Sequence, residues 1–214
     1  QPVHVHFFGG EPLLDFALLC DVTLYGERRA REDGKAMTFE VTTNGTRLEP
    51  EVIAFLNEHR IAVGVSFDGP PEVQDAARPL AGGSSYALAA PKIRALLAAR
   101  VGSGLKTHAS VVVTRLELDL VKLVRHLEEL GFEKILLTPA TDVTGASNGL
   151  REEDLPRAFA AIDALAAEYE RRTRAGEAVH ETWFPRLVGR IQSGQRMTQF
   201  CSGGRDYLGV AADR

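Results

Sequence analysis

The stretch "HVHFFGGEPLLDF", residues 4–16, sets two glycines, a carboxylate and a proline between strand-forming residues and the first apolar helical pattern. A short βα connection needs one residue of special backbone geometry. Gly9, Gly10, Glu11 and Pro12 together are more than a connection requires. Three later segments end in a comparable way: Thr43-Asn44-Gly45, Ser66-Phe67-Asp68-Gly69 and Thr114-Arg115 close β-branched runs with hydroxyl, amide or carboxylate groups. Ligands of parallel sheets bind at the carboxyl ends of the strands, so four such ends on one rim point to a shared ligand site. Each has a plainer reading when taken alone. Asn44-Gly45 and Asp68-Gly69-Pro70 are turn sequences, Pro12 suits a first helical position, and Glu11 favours a helix N-terminus. His4 and His6 share a strand face and could form half of a metal site, but no third ligand stands at a suggestive spacing. His4, His6 and His108 are therefore expected to be partly buried and hydrogen-bonded, and Cys20 to be a core thiol.

The elements that must position these groups follow from periodicity. β-branched runs predict strands over 3–8, 38–43, 61–67, 108–114 and 134–138. Between them, apolar residues at helical spacing predict four helices: Leu14, Ala17, Leu18 and Val22; Val52, Ile53 and Leu56; Ile93, Leu96 and Leu97; Leu120, Val121, Val124 and Leu127. Strict alternation implies an α/β fold with a parallel sheet and right-handed crossovers. "VGVSF" and "SVVVT" read as strands covered on both faces. Gly131 is expected to close a helix. Pro91 implies that its helix is kinked there or begins near Ala89. After Thr138, "ATDVTGASNGLREED" reads as a loop, Leu155, Phe159, Ile162, Leu165 and Tyr169 mark a long helix, and "WFPRLVGRIQSG" a shorter one.

Composition narrows the function. The chain is 214 residues long, 44% hydrophobic and 25% charged, with a net charge of −4 and few aromatics. This gives no electrostatic footprint for nucleic acid or an anionic membrane. No apolar run approaches the roughly 20 residues of a membrane span, and no signal peptide opens the chain. A cytoplasmic protein is expected. Its two cysteines, Cys20 and Cys201, form neither a disulfide framework nor a zinc spacing. The chain starts without Met directly in a strand pattern, as a fragment of a longer protein would. The glycine-rich turn is not G-x-G-x-x-G and no GK[ST] is present, which argues against an ordinary nucleotide-binding fold.

"FFGGEPLL", "TTNGT", "VSFDGPPEVQDAARP" and "VVVT", in this order and spacing, resemble the radical S-adenosylmethionine (AdoMet) enzymes of the SPASM-containing branch, and "CSGGRDYLGVAADR" resembles the entry of a SPASM domain. That branch includes anaerobic sulfatase-maturating enzymes and peptide maturases. The resemblance implies a truncated, TIM-like partial (β/α)6 barrel over residues 1–145, entered at its second strand. A helical linker over 146–200 and the start of the SPASM auxiliary-cluster domain over 201–214 would follow. It implies that Gly9, Gly10, Glu11 and Pro12 form the turn holding the AdoMet amino group. Ser66 and Arg78 would lie near its carboxylate and ribose, with Asn44, Thr114 and Asp68 on the same rim, Asp68 as a ligand or as a turn-former. Cys201 would be a ligand of an auxiliary cluster.

The resemblance also implies [4Fe–4S] clusters, an electron donor such as flavodoxin or ferredoxin, and a peptide or protein substrate from which a 5′-deoxyadenosyl radical abstracts hydrogen. The family's CxxxCxxC loop is absent from these residues, and cluster binding needs several thiolates. The chain as given is therefore expected to be inactive. Phe8 and Gln74 replace a polar residue and a histidine of the sulfatase-maturating members, which favours a peptide or protein maturase. The rival reading is a degenerate barrel that serves as a peptide-binding or scaffold module.

Overall fold

The computed structural model describes residues 3–140, 148–194 and 209–210. Five strands, β1 (Val3–Phe7), β2 (Met37–Thr43), β3 (Ala62–Ser66), β4 (Thr107–Val113) and β5 (Ile135–Pro139), pair in chain order, every pair parallel. A 3-10 turn (Pro12–Asp15) leads into helix α1 (Phe16–Glu32). α2 (Pro50–Glu58), α3 (Pro71–Ala77), α4 (Ser85–Arg100) and α5 (Leu120–Leu130) fill the other crossovers.

Strand order equal to chain order has a direct consequence. Successive right-handed crossovers between neighbours place every helix on the same face of the sheet. Phe39, Val41, Val63, Val65, Phe67, Ala109, Val111, Val113, Ile135 and Leu137 point to that face and are buried. The opposite face carries His4, His6, Glu40, Thr42, Ser66, Ser110 and Val112, all half-buried or exposed. The expectation that β3 and β4 are covered on both faces is thus corrected, because a singly wound sheet has one helical layer.

Helix α1 is a second correction. Leu14 and Leu18 of the expected buried stripe are 68% and 56% exposed, while Leu19, Thr23 and Gly26 face the sheet. The reason lies at Gly26: a Cβ there would stand 2.7 Å from Met37 Sδ and 2.9 Å from Phe39 Cζ. The helix approaches the sheet through the residue without a side chain. Cys20, one position beyond Leu19, is half-buried rather than a core thiol, and burial and Asp21 push its pKa up. Its thiolate is the nucleophile. Carbamidomethylation of Cys20, followed by peptide mass spectrometry, should therefore run slower than in the urea-unfolded chain at the same pH; equal rates would contradict this burial.

Helix α4 begins at Ser85, with the Ser84 hydroxyl accepting the Ala87 N–H at 2.9 Å, and runs through Pro91 on its exposed side. The start near Ala89 is therefore not the one adopted. Gly131 closes α5 at φ 107° as expected.

The chain forms two compact units, Gln1–Thr182 and Trp183–Arg214. α6 (Leu155–Ala175) completes the first, and α7 (Trp183–Ser193) is the helix described in the second. Of the apolar stripe read on α6, only Leu165 is fully buried, and Phe159 remains exposed. Charges supplement it: Arg172 donates to Glu128 of α5 at 2.6 Å, and Glu168 accepts from Arg171, Arg172 and Arg125, which hold its carboxyl well below the usual range. A carboxylate with a depressed folded pKa contributes stability above its unfolded value of about 4.3 and loses it as the pH falls toward the folded value. The difference in urea midpoint between wild type and Glu168→Gln should be present at pH 7 and smaller at pH values below about 4. A difference independent of pH would refute that account.

Candidate functional site

The carboxyl ends of the five parallel strands form one rim, and the turns read from sequence lie on it. At the first, Gly9 has φ +140°, a region that L side chains rarely adopt, and no protein atom lies within 4 Å of a Cβ built on Gly9 or Gly10. The two glycines form an open ledge. Pro12 starts the 3-10 turn, where its missing N–H is no loss, and Glu11 caps it by accepting the Leu13 N–H at 3.1 Å. Glu11 does more than cap. Its carboxylate also accepts from the Thr43 hydroxyl at 2.8 Å and the Asn44 N–H at 2.7 Å, tying the first turn to the second.

At the second turn, Asn44 Oδ1 accepts from the Thr46 N–H and hydroxyl at 2.9 and 2.7 Å, and Gly45 takes φ +80°. This is an Asx turn. The Asn44 carbonyl oxygen is committed to it.

The third and fourth strand ends are joined by Asp68. It is 2% exposed and accepts from Arg78 Nε at 2.7 Å, Arg78 Nη2 at 3.3 Å and the Val112 N–H at 2.8 Å. Its own N–H donates to Gln74 Oε1 at 2.8 Å. Asp68 therefore holds Arg78 against the end of β4, and its carboxylate is fully occupied by protein donors. The uncertainty between rim ligand and turn-former resolves into a third role, a buried clamp. Gln74, noted in the sequence only as a departure from a pattern, is part of it. Gly69 follows at φ +138°, where a Cβ would meet Leu123 Cδ2 at 2.6 Å.

Ser66, by contrast, is half-buried at the end of β3, and no described residue hydrogen-bonds its hydroxyl. Thr114 Oγ1 accepts from the Leu116 N–H at 3.4 Å, a long bond. Arg115 is engaged by Glu153 at 2.6 Å and by buried Asp154 at 3.3 Å, and its N–H donates to Asn148 O, which fixes the segment before α6 beside β4. Cys201 lies outside the described residues.

The structure thus brings Glu11 to Asn44 and Asp68 to Arg78, and leaves the Gly9-Gly10 ledge and the Ser66 hydroxyl uncommitted. Sequence reasoning named His4, His6 and His108 but missed Thr38, Thr42 and Glu40, which surround them below the rim. His4 Nδ1 lies 2.8 Å from Thr38 Oγ1, and His6 Nε2 lies 2.8 Å from Thr42 Oγ1. Both histidines are exposed rather than partly buried, because they sit on the sheet face that the helices do not cover. His108, half-buried, has no hydrogen bond from the described residues.

No protein-family profile matches the chain. Among solved structures, native anSMEcpe with bound AdoMet and the Kp18Cys peptide matches with a TM-score of 0.75 at 20% identity, covering 92% of this chain and 54% of that one. A second anSMEcpe structure with bound AdoMet gives 0.77 at 20% identity over the same shares. Streptococcus suis SuiB bound to its precursor peptide SuiA gives 0.56 at 15% identity, over 87% of this chain and 40% of that one. This chain has their fold. The truncated, TIM-like α/β barrel expected from the sequence is the architecture observed. The chain spans about half the length of the anSMEcpe chain.

The rim residues leave room for a small ligand. The ledge at Gly9 and Gly10 has room for a ligand against its main chain, and Ser66 offers a free hydroxyl. They do not fit an iron–sulfur cluster. Among the described residues no three His, Cys, Asp or Glu side chains are grouped to hold a metal, and Cys20 is a half-buried thiol on α1.

Proposed function

We propose that this chain is the AdoMet-binding barrel of a radical AdoMet enzyme of the SPASM-containing branch, which modifies a peptide or protein by hydrogen abstraction. The observation that carries this reading is the uncommitted Gly9-Gly10 ledge and Ser66 hydroxyl at the rim of a fold shared with anSMEcpe, bound to AdoMet and a peptide, and with SuiB, bound to its precursor peptide. The main chain of Gly9 and Gly10 would hold the AdoMet ammonium, with Glu11 fixing the ledge to the Asn44 turn. Ser66 and the remaining N–H groups of Arg78 would take its carboxylate or ribose, and Thr114 closes the far side of the rim. Arg suits a carboxylate through its planar donor fork. AdoMet supplies the hydrogen-abstracting chemistry, and the protein supplies binding, orientation and exclusion of water. An iron–sulfur cluster, a ligand role for Cys201, a flavodoxin or ferredoxin donor and the division at 145 and 200 belong to this proposal. No described helix is long and apolar enough to cross a membrane.

The test is calorimetric titration of the folded protein with AdoMet. One saturable site is expected, weakened about ten-fold in Ser66→Ala by loss of one hydrogen bond to a charged group. No AdoMet binding by a folded protein would refute the proposal. Peptide binding without AdoMet binding would favour the scaffold reading.

A further inference from the structure

On the uncovered sheet face, His4 and His6 of β1, Glu40 of β2 and His108 of β4 converge below the rim. The Glu40 carboxylate lies 3.5 Å from His4 Nε2 and 3.9 Å from His108 Nδ1, with no hydrogen bond closed to either. Its side chain is 24% exposed, and no described residue donates to it. A largely covered carboxylate without a donor is unfavourable. Its surroundings are nevertheless built with care: three separate features orient the imidazoles around it. Thr38 holds His4 by Nδ1 and turns Nε2 toward Glu40, while Thr42 holds His6 by Nε2 and leaves Nδ1 free. Gly64 makes room for His108, since a Cβ there would stand 2.9 Å from ring atoms Cε1 and Nε2.

The charge is equally defined. Burial, opposed by Glu40 and reinforced by Lys134 and His6, pushes His108 below its ordinary value, so its ring is neutral at pH 7. The Glu40 carboxylate then lies beside the neutral His108 ring, which has a nitrogen that can accept a hydrogen bond. Among the described residues no set of such groups is arranged to hold a metal. What complements a carboxylate beside imidazole nitrogens is a cation with several N–H donors.

We propose that His4, His6, Glu40 and His108 form a binding site for an amine cation, an ammonium carried by a basic side chain or a polyamine. Glu40 takes the charge-assisted hydrogen bond, and the imidazoles accept from the remaining N–H groups. Glu40 stands three residues before Thr43, so the site lies about 10 Å below the rim at the rise of a β-strand. A long basic side chain reaching down from a peptide laid on the rim meets that depth. The peptide origin of the ammonium rests on the proposed function, whereas the cation site does not and needs neither AdoMet nor a cluster to be tested.

The experiment follows the imidazole 1H–15N signals of the protein at pH 7.5 during titration with N-acetyl-lysinamide, its neutral norleucine analogue, and spermidine. Saturable shifts of His4 and His108 with the lysine compound, none with the norleucine compound, and silent His59 and His126 are expected. Tighter binding of spermidine would assign the site to a free polyamine, and tighter binding of N-acetyl-lysinamide would assign it to a basic side chain. Glu40→Gln should weaken binding about ten-fold through loss of one charge-assisted bond. Gly64→Ala, which displaces His108 without changing charge, should also weaken it, and binding should fade as His108 protonates in acid. Equal shifts with the neutral analogue, or no saturable shift in the folded wild type, would overturn the assignment. A folded Glu40→Gln protein that binds as well as wild type would do the same.

Discussion

Asp68→Ala will lower the urea midpoint of unfolding by the equivalent of about 3 kcal/mol, the lower end of the cost of breaking a buried ion pair. Three donors lose their acceptor at once: Arg78 Nε, Arg78 Nη2 and the Val112 N–H. The Arg78 side chain is 32% exposed and regains water, which keeps the loss at that lower end. Asp68→Asn retains an oxygen for Val112, but its amide group cannot accept from Arg78 Nε, so its loss should be smaller. An unchanged denaturant slope would show that native stability, rather than the unfolded state, has moved. Under the proposed function the same variants weaken AdoMet by releasing Arg78, and Asp68→Asn should do so out of proportion to its effect on stability. An Asp68→Ala protein as stable as wild type would contradict the clamp.

The second large effect lies at the opposite end of the sheet. Arg100, 5% exposed at the end of α4, donates Nε to Asn57 Oδ1 at 2.8 Å, Nη1 to Lys106 O and Thr107 Oγ1 at 3.0 Å, and Nη2 to Ile61 O at 3.0 Å. One side chain thus stitches the end of α2, the entry to β3 and the entry to β4. Among the described residues no carboxylate balances it, and burial pushes its pKa down to about 10. Arg100→Ala should cost about 3 kcal/mol or more, because four acceptors lose their donor in the interior. Arg100→Lys should recover only part of it, since an ammonium lacks the fork that reaches acceptors on three segments. Denaturant unfolding decides: equal stability of the lysine variant and wild type would show that the charge, rather than the fork geometry, is what matters.

Much of the framework was legible because local signals and tertiary demands agree. β-branched runs gave the five strands to within a residue or two, and Gly131 marks the end of α5 because a left-handed closing residue favours glycine. The rim was legible for a different reason. A parallel sheet gathers the residues that follow each strand, so position along the chain already places Gly9, Asn44, Ser66 and Thr114 at one end. The face of α1 was not legible. Leu14 and Leu18 look like a core stripe, but Gly26, against Met37 and Phe39, turns the helix so that they point outward.

By itself, then, the sequence determined the alternating α/β framework, the parallel sheet and which residues gather at the rim of strand carboxyl ends, since each depends on short-range pattern and a general rule of chain connection. Only the tertiary structure decided which carboxylates are free. Glu11 and Asp68 look alike in the sequence as rim acids, yet both are consumed by hydrogen bonds across the sheet, whereas Glu40, inconspicuous within β2, accepts no hydrogen bond from the described residues. That distinction rests on strand register, which brings β1, β2 and β4 side chains from distant parts of the chain within a few ångströms of one another. No local pattern encodes it.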